Sequence, residues 1–215
     1  MGSLMSYLLG WVKPQPTFDL TPDPVTGLSE KDCHSIMESW ALVADRKIIK
    51  QTGVAFFIAL FEAYPYMQDF FPKLKGRPLE KLKQCPVMMS HATTVMYALK
   101  AYVEHVDDTQ ALAALVTRVA KSHLDRNIFT QDMDRLAEVF LAFMKSSLGD
   151  KWTTDVQSAW TQLLQVHNVL YKQIEDQTRQ CSKQSTDSTS SDDHVSKSLK
   201  VAEVNHQANE RDKQS

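Results

Sequence analysis

Apolar side chains recur at steps of three and four residues along most of this chain, and that spacing constrains the fold more than any other feature. Between residues 86 and 106 the recurring positions are Val87, His91, Val95, Ala98, Tyr102 and Val106. Side chains three and four apart share one face of an α-helix. Further helical segments are indicated, and no stretch alternates as a half-buried strand would. The sequence therefore predicts an all-α fold.

Changes in composition divide the chain into three parts. Residues 12–27 contain four prolines and are typical of a stiff, extended linker, so 1–27 is interpreted as an N-terminal arm. Residues 28–176 carry the helical stripes and form the predicted domain. Serine, threonine, aspartate, lysine and glutamine dominate 177–215, where too little apolar surface remains to offset the entropy of ordering. This last part is predicted to be a disordered polar tail.

Charge and cysteine content exclude several classes of protein. A net charge of −2 over 215 residues gives no reason to expect a nucleic-acid partner. Cys33, Cys85 and Cys181 have unrelated spacings, which fit neither a disulfide framework nor a zinc site. A reducing intracellular compartment is therefore predicted. The longest purely apolar run, 54–61, is far shorter than the roughly 20 residues that a membrane-spanning helix needs.

The first residues carry a lipidation signal. Residues 1–6, Met-Gly-Ser-Leu-Met-Ser, match the N-myristoylation pattern, in which Gly2 becomes the acylated terminus. The segment lacks the basic flank and cleavage site of a secretory signal. One myristoyl chain binds membranes only marginally, and Leu4, Leu8, Leu9 and Trp11 would supply the second signal. The hypothesis is attachment to the cytoplasmic face of a membrane; the alternative is an unmodified, irregular arm.

Two histidines occupy apolar helical faces in an arrangement that suits a bound metal. A lone histidine on such a face is usually a hydrogen-bonded core residue, which is the interpretation for His34, His105 and His167. His91 and His123 instead lie on separate predicted helices, with Phe71 at the end of a phenylalanine-rich helix before them. This set favours opposed ligands on a flat metal cofactor such as haem. A haem-free helical interaction module is the alternative.

Several of these residues together resemble the globin family. Residues 56–65, Phe-Phe-Ile-Ala-Leu-Phe-Glu-Ala-Tyr-Pro, followed by Phe-Phe-Pro-Lys at 70–73, resemble the B–C–CD region of a globin. Pro65 matches the proline near the start of helix C, and Phe71 matches the phenylalanine that stacks on haem. The similarity covers roughly residues 28–175 and implies a three-over-three helical sandwich that holds haem b.

The resemblance also assigns roles to the two histidines. His91, with Val95 one turn later, is similar to the distal pair of helix E, and His123 falls where the proximal histidine of helix F belongs. Trp160 falls where helix H often has tryptophan. A proximal imidazole is usually oriented by a hydrogen bond from its other nitrogen, and either Ser122 or a backbone carbonyl near Val119 would accept it.

The rest of the cofactor site follows from the same resemblance. Phe57 and Phe71 are predicted to form aromatic walls. The apolar lining is predicted to consist of Val95, Val119, Ile128, Met133 and Leu136. Lys73, Thr94 and Arg126 are candidates for contacting the haem propionates, and the alternative for each is a solvated surface residue.

The role of His91 decides between functions. In oxygen stores the distal histidine donates a hydrogen bond to dioxygen, whereas in the neuroglobin-like and globin X-like branch it ligates iron itself. The acylation signal, the long tails and the ungapped match from His123 to Trp160 favour that branch. We therefore predict a bis-histidine, membrane-tethered globin with a redox, signalling or protective role, whose ligands are dioxygen, NO, CO or nitrite.

Two alternatives stay open at this point. The first is a five-coordinate globin for oxygen storage or transport. The second is an enzyme that uses the same iron for nitrite reduction or nitric oxide dioxygenation. Because no reductase segment is recognisable in the sequence, turnover would need a separate electron donor.

Overall fold

The computed structural model describes residues 17–211, with side chains described up to residue 182, and these residues form helices joined by short connections. The α-helices are α1 (Glu30–Val43), α2 (Ile49–Ala63), α3 (Leu79–Leu82), α4 (Pro86–Glu104), α5 (Thr109–Leu124), α6 (Thr130–Leu148) and α7 (Thr154–Arg211). Two 3₁₀ helices cover Pro65–Phe70 and Gly149–Lys151. No strand occurs within residues 17–211, which confirms the predicted all-α class. Gly2 and its apolar neighbours lie outside the described residues.

The start of α1 follows from a reciprocal cap. The Ser29 hydroxyl accepts a hydrogen bond from the backbone N–H of Asp32 at 3.3 Å, and the Asp32 carboxylate accepts one from the backbone N–H of Ser29 at 2.9 Å. This arrangement satisfies N–H groups that a helix otherwise leaves free at its N-terminus. The cap therefore fixes Glu30 as the first residue of α1 and makes the preceding segment change direction at Ser29.

The segment before α1 packs against the domain, which differs from the extended linker that the sequence predicts. The Asp23 carboxylate accepts backbone N–H bonds from Val25 at 2.9 Å and Thr26 at 2.7 Å, which closes a tight turn. Thr26 and Leu28 are buried. The Gln162 side-chain amide of α7 donates to the Thr26 carbonyl at 2.7 Å. Pro22 and Pro24 are therefore compatible with a turn that is bound to α7.

The core of the domain forms where α2 packs across α4. Gly53 lies at the closest approach, because a Cβ atom there would be 2.9 Å from the backbone oxygen of Ala92. The residues of α4 that face α2 and the interior are Met88, Ala92, Met96 and Val103, all buried. The stripe predicted from sequence is buried only at its C-terminal end: Val87 is exposed and His91, Val95 and Ala98 are half-buried, whereas Tyr102 and Val106 are buried. The helix has two apolar faces, and in its N-terminal half the periodicity identified the less buried one.

The last helix, α7, packs against α1, α5 and α6. Trp160 is buried within it, with its ring centroid 6.1 Å from that of Trp40 and 5.3 Å from that of Phe140. Its indole N–H donates to the Ser39 hydroxyl at 2.9 Å. This hydrogen bond joins α7, the last helix of the domain, to α1, the first.

The helical backbone of α7 continues to Arg211, through residues for which the sequence predicts a disordered tail. Residues 154–211 contain neither proline nor glycine, so no residue type in them breaks a helix. The domain boundary near residue 176 stays a prediction. None of the helices within the described part of the chain is both long and apolar enough to cross a membrane.

Replacing Gly53 with alanine tests the close packing of α2 and α4. We expect Gly53→Ala to lower the free energy of unfolding by about 1–2 kcal/mol, because the cost of overpacking against the α4 backbone exceeds the helical preference of alanine. Chemical denaturation followed by circular dichroism measures the change. Ser158→Ala, on the exposed side of α7, is the control and should alter stability by less than about 0.5 kcal/mol. An increase in stability for Gly53→Ala would contradict the assigned packing.

Candidate functional site

His91 lies on α4 within a cage of aromatic rings. Its imidazole centroid is 4.8 Å from the ring of Phe71 and 5.2 Å from that of Phe57, and both contacts are edge-on. The two phenylalanine rings are themselves 6.0 Å apart. The predicted aromatic walls and the predicted distal histidine are therefore neighbours, although they come from α2, α4 and the connection after the Pro65–Phe70 helix.

The surroundings of His91 favour a neutral imidazole. Burial lowers the pKa of His91, and the nearby charge of His123 lowers it further. Among the described residues neither ring nitrogen of His91 forms a hydrogen bond. A neutral imidazole with a free lone pair is the form that binds a metal ion.

His123 lies near the end of α5 and is oriented by its own helix. Its Nδ1 donates a hydrogen bond to the backbone carbonyl of Val119 at 2.9 Å. Because a carbonyl oxygen only accepts, Nδ1 carries the proton and Nε2 retains its lone pair. Of the two acceptors considered from sequence, the structure selects the carbonyl, and the Ser122 hydroxyl is instead bonded to the guanidinium of Arg126 at 3.0 Å.

The corner between α5 and α6 is tied both to His123 and to α7. The backbone N–H groups of Arg126 and Ile128 donate to the His123 carbonyl at 2.9 and 3.1 Å. Asn127, between them, has φ +57°, a left-handed conformation that asparagine tolerates better than most residues. From α7 the Tyr171 hydroxyl donates to the Ile128 carbonyl at 2.7 Å. The corner that follows His123 is thus held at several points.

The remaining predicted lining residues fall into two groups. Val95, Val119 and Leu136 are half-buried and pack against the main core, together with Phe57 and Phe71. Ile128 and Met133 are buried in a smaller cluster with Ala120 and Tyr171 at the end of α5.

The three candidates for binding propionates are exposed. Lys73 lies in the connection before α3, and Thr94 lies on α4, where its hydroxyl donates to the Ser90 carbonyl at 3.1 Å. The Arg126 guanidinium also bonds to the Ser122 carbonyl of the preceding turn. Nothing in their contacts distinguishes them from ordinary surface residues.

A second buried polar cluster, which the sequence did not indicate, lies between α4 and α7. The His167 imidazole is 5.6 Å from the ring of Tyr102 and 5.9 Å from that of Tyr171. Its Nδ1 bonds to the side-chain oxygen of Asn168 at 2.8 Å, and the Asn168 amide in turn donates to Asp134 at 2.7 Å. Burial lowers the pKa of His167. His167 is therefore a hydrogen-bonded interior histidine, as predicted from sequence, but its partners could not be identified from the apolar spacing. The same prediction is wrong for His105, which is exposed, and the half-buried His34 imidazole lies 3.3 Å from the Glu38 carboxylate.

The two buried tyrosines of this cluster should differ in how loss of the hydroxyl group changes the free energy of unfolding. The Tyr102 hydroxyl is buried and has no hydrogen-bond partner among the described residues, whereas that of Tyr171 bonds to Ile128. Tyr171→Phe should lower the free energy of unfolding by about 1–3 kcal/mol, because it leaves a buried carbonyl unsatisfied. Tyr102→Phe should leave it unchanged or raise it. Equal losses for the two variants, measured by denaturant titration, would show that the hydroxyl groups do not differ in this way.

Comparison with known proteins agrees with this arrangement. The family model described as Globin matches residues 54–174. A neuroglobin of Danio rerio is 32% identical over 135 residues, which cover 62% of this chain and 83% of that protein. A globin of Tritia mutabilis is 28% identical over 141 residues, covering 65% of this chain and 96% of that protein.

A solved structure supports the same fold. The crystal structure of a protein described as a hexacoordinated heme protein, from an anhydrobiotic tardigrade, superposes with a TM-score of 0.65 at 19% identity. The superposition covers 72% of this chain and 99% of the tardigrade protein. At this level of identity the likeness concerns the fold alone. Since the family model spans more than half of the sequence and the helices adopt the corresponding fold, the chain belongs to the globin family.

Proposed function

We propose that this globin binds haem b between α4 and α5, with His123 as the proximal ligand and His91 on the opposite side. The observation that carries the proposal is the state of the two imidazoles. Nδ1 of His123 is committed to the Val119 carbonyl, which leaves Nε2 available, and His91 is held neutral beside two phenylalanine rings. This donor set fits haem iron, which accepts neutral imidazole nitrogens as axial ligands.

The apolar surroundings also fit a porphyrin. Phe57, Phe71, Val95, Val119 and Leu136 come from five separate parts of the chain and pack on one core. Such a lining excludes water, which slows oxidation of iron and favours reversible ligand binding. Lys73, Thr94 and Arg126 stay predicted contacts of the propionates.

When bound, haem would supply an iron centre whose sixth position takes dioxygen or another small ligand such as NO, CO or nitrite. The residues of this chain would decide how readily that position opens. His91 is restrained by packing against aromatic rings and has no hydrogen bond within the described residues to hold it away from the centre. We therefore propose a bis-histidine resting state with a redox, signalling or protective role.

The relatives support this choice over the open alternatives. A neuroglobin is among the proteins to which the chain is similar, and the tardigrade protein of the same fold is described as hexacoordinated. A five-coordinate oxygen store and a haem enzyme dependent on a separate electron donor are the alternatives that the following measurement separates.

The proposal predicts a specific visible spectrum for the purified chain after addition of haem. The ferrous protein without added ligand should show sharp, well-separated α and β bands, because two imidazoles give low-spin iron. His91→Leu should convert these into a single broad band, and His123→Ala should abolish or sharply weaken haem retention. Full haem occupancy in His123→Ala would exclude His123 as the proximal ligand.

A control variant and two alternative spectra complete the test of the proposed haem site. His105→Ala removes an exposed histidine from the end of α4 and should leave the spectrum unchanged. A single broad band in the parent protein would favour the five-coordinate oxygen store. No Soret band after addition of haem would overturn the proposed function.

We also propose that Gly2 is acylated and that the chain attaches to the cytoplasmic face of a membrane. The support is the motif of residues 1–6 and the apolar residues after it. In cells that acylate N-terminal glycine, Gly2→Ala should move the protein from the membrane fraction to the supernatant. Ser3→Ala, which leaves the glycine in place, is the control, and identical fractionation of Gly2→Ala and the parent protein would contradict the anchor.

A further inference from the structure

Three side chains on one face of α7 hold three consecutive residues of the α5–α6 corner. Tyr171, Glu175 and Arg179 are spaced four residues apart, so they lie above one another on the helix. Tyr171 binds the carbonyl of Ile128, Arg179 covers the ring of the next residue, Phe129, and Glu175 binds the first residue of α6. We call these three residues of α7 the corner clamp.

Glu175 forms the strongest contacts of the corner clamp. The residue is only 4% exposed, and one carboxylate oxygen accepts hydrogen bonds from both the backbone N–H of Thr130 at 2.9 Å and the Thr130 hydroxyl at 2.6 Å. Burial by itself raises the pKa of Glu175, but the Thr130 bonds and the charge of Arg179 outweigh it, so the pKa is lowered. The carboxylate is therefore charged and fully engaged at neutral pH.

Arg179 completes the contact from the next turn of α7. Its guanidinium lies 2.6 Å from the second oxygen of Glu175 and 5.2 Å from the centroid of the Phe129 ring. Arginine is suited to this position because its planar cation binds a carboxylate and stacks on an aromatic ring simultaneously. The buried charge of Glu175 is thereby paired, which burial of a carboxylate requires.

The restrained corner connects directly to His123. The N–H group of Ile128, whose carbonyl is bound by the corner clamp, donates to the carbonyl of His123 at 3.1 Å. A continuous hydrogen-bond path therefore leads from α7, through Ile128, to the backbone of the histidine. Glu175 restrains the same corner two residues further along, at Thr130.

Two members of the corner clamp lie beyond the region that the family model matches. That match ends at residue 174, and Glu175 and Arg179 follow it on the same helix. Tyr171 falls inside the match. The charged part of the corner clamp therefore lies outside the residues that the family model matches.

We infer that Glu175 and Arg179 are positioning residues that set the orientation of the His123 imidazole by holding the α5–α6 corner. The inference rests on the proposed function, since it concerns His123 as a ligand of iron. Small displacements of the corner would rotate the backbone of His123. The imidazole would then either turn with the backbone or strain its Nδ1 bond to the Val119 carbonyl. The charged pair keeps the corner in one position.

The test uses the full chain loaded with haem and carrying His91→Leu, so that His123 is the only axial histidine. In this background Glu175→Gln keeps the shape of the side chain but removes its charge, and Thr130→Val removes the hydroxyl from the other side of the contact. The matched control is Asp176→Asn, which removes the carboxylate of the exposed Lys172–Asp176 ion pair on the same turn of α7.

Two measurements report on different steps. Amide hydrogen exchange at Thr130, in the haem-free and the loaded protein, reports whether the contact holds the corner. The iron–histidine stretching band of the ferrous protein, measured by resonance Raman spectroscopy, reports the orientation of the imidazole. A residue that only stabilises α7 would change the first and leave the second unchanged.

We expect Glu175→Gln to accelerate exchange at Thr130 by about 10- to 100-fold, as loss of hydrogen bonds to a charged group would. The iron–histidine band should broaden and shift, because the imidazole then samples more orientations. Thr130→Val should produce smaller changes of the same kind. Asp176→Asn should leave both measurements at the values of the background protein.

Contrary outcomes are distinct from one another. Faster exchange in Glu175→Gln with a band identical to that of Asp176→Asn would overturn the positioning role and leave the proposed function intact. An equal change in Asp176→Asn would overturn it as well, since the effect would belong to α7 in general. Absence of a Soret band in the parent protein would remove both the proposed function and this inference, before any clamp variant is compared.

Discussion

The position of α7 relative to the rest of the domain is the constraint on which the other contacts depend. Near its start Trp160 packs between Trp40 and Phe140, and its indole N–H donates to Ser39. Three turns later Tyr171 of the same helix donates to the corner after α5. Because a helix is stiff over this length, fixing α7 on α1 also fixes the corner beyond His123. The position of the corner after His123 is thereby fixed relative to α1, the first helix of the domain.

The two histidines are held by different kinds of interaction. His123 is oriented by directional hydrogen bonds, one from its ring to Val119 and two from the corner to its own carbonyl. His91 is held by contacts with Phe57 and Phe71, which are much less directional. A side chain restrained by packing alone changes its position at lower cost than one restrained by hydrogen bonds. This asymmetry is what a permanent ligand on one side and a displaceable ligand on the other would require.

Sequence patterns predicted the limits of a helix better than which of its faces is buried. The spacing of apolar residues predicted α4 nearly to its ends, yet the part of the predicted stripe that includes Val87 and His91 is less buried than the face beside it. The more buried stripe contains Met88, Ala92 and Met96, where α2 approaches through Gly53. Periodicity cannot choose between two apolar faces, because the choice depends on which helix lies opposite.

The sequence by itself determined the all-α class and the approximate limits of α4, and it predicted that His91, His123 and Phe71 belong to one site. These features follow from local periodicity and from the chemistry of single residue types. Only the tertiary structure decided which acceptor orients His123, where the segment before α1 packs, and that Glu175 is buried against Thr130. A glutamate in a polar helical segment is ordinarily exposed, and its burial arises from an oppositely charged neighbour and from a corner 45 residues away in sequence. Contacts of this kind depend on the path of the whole chain, which local patterns do not encode.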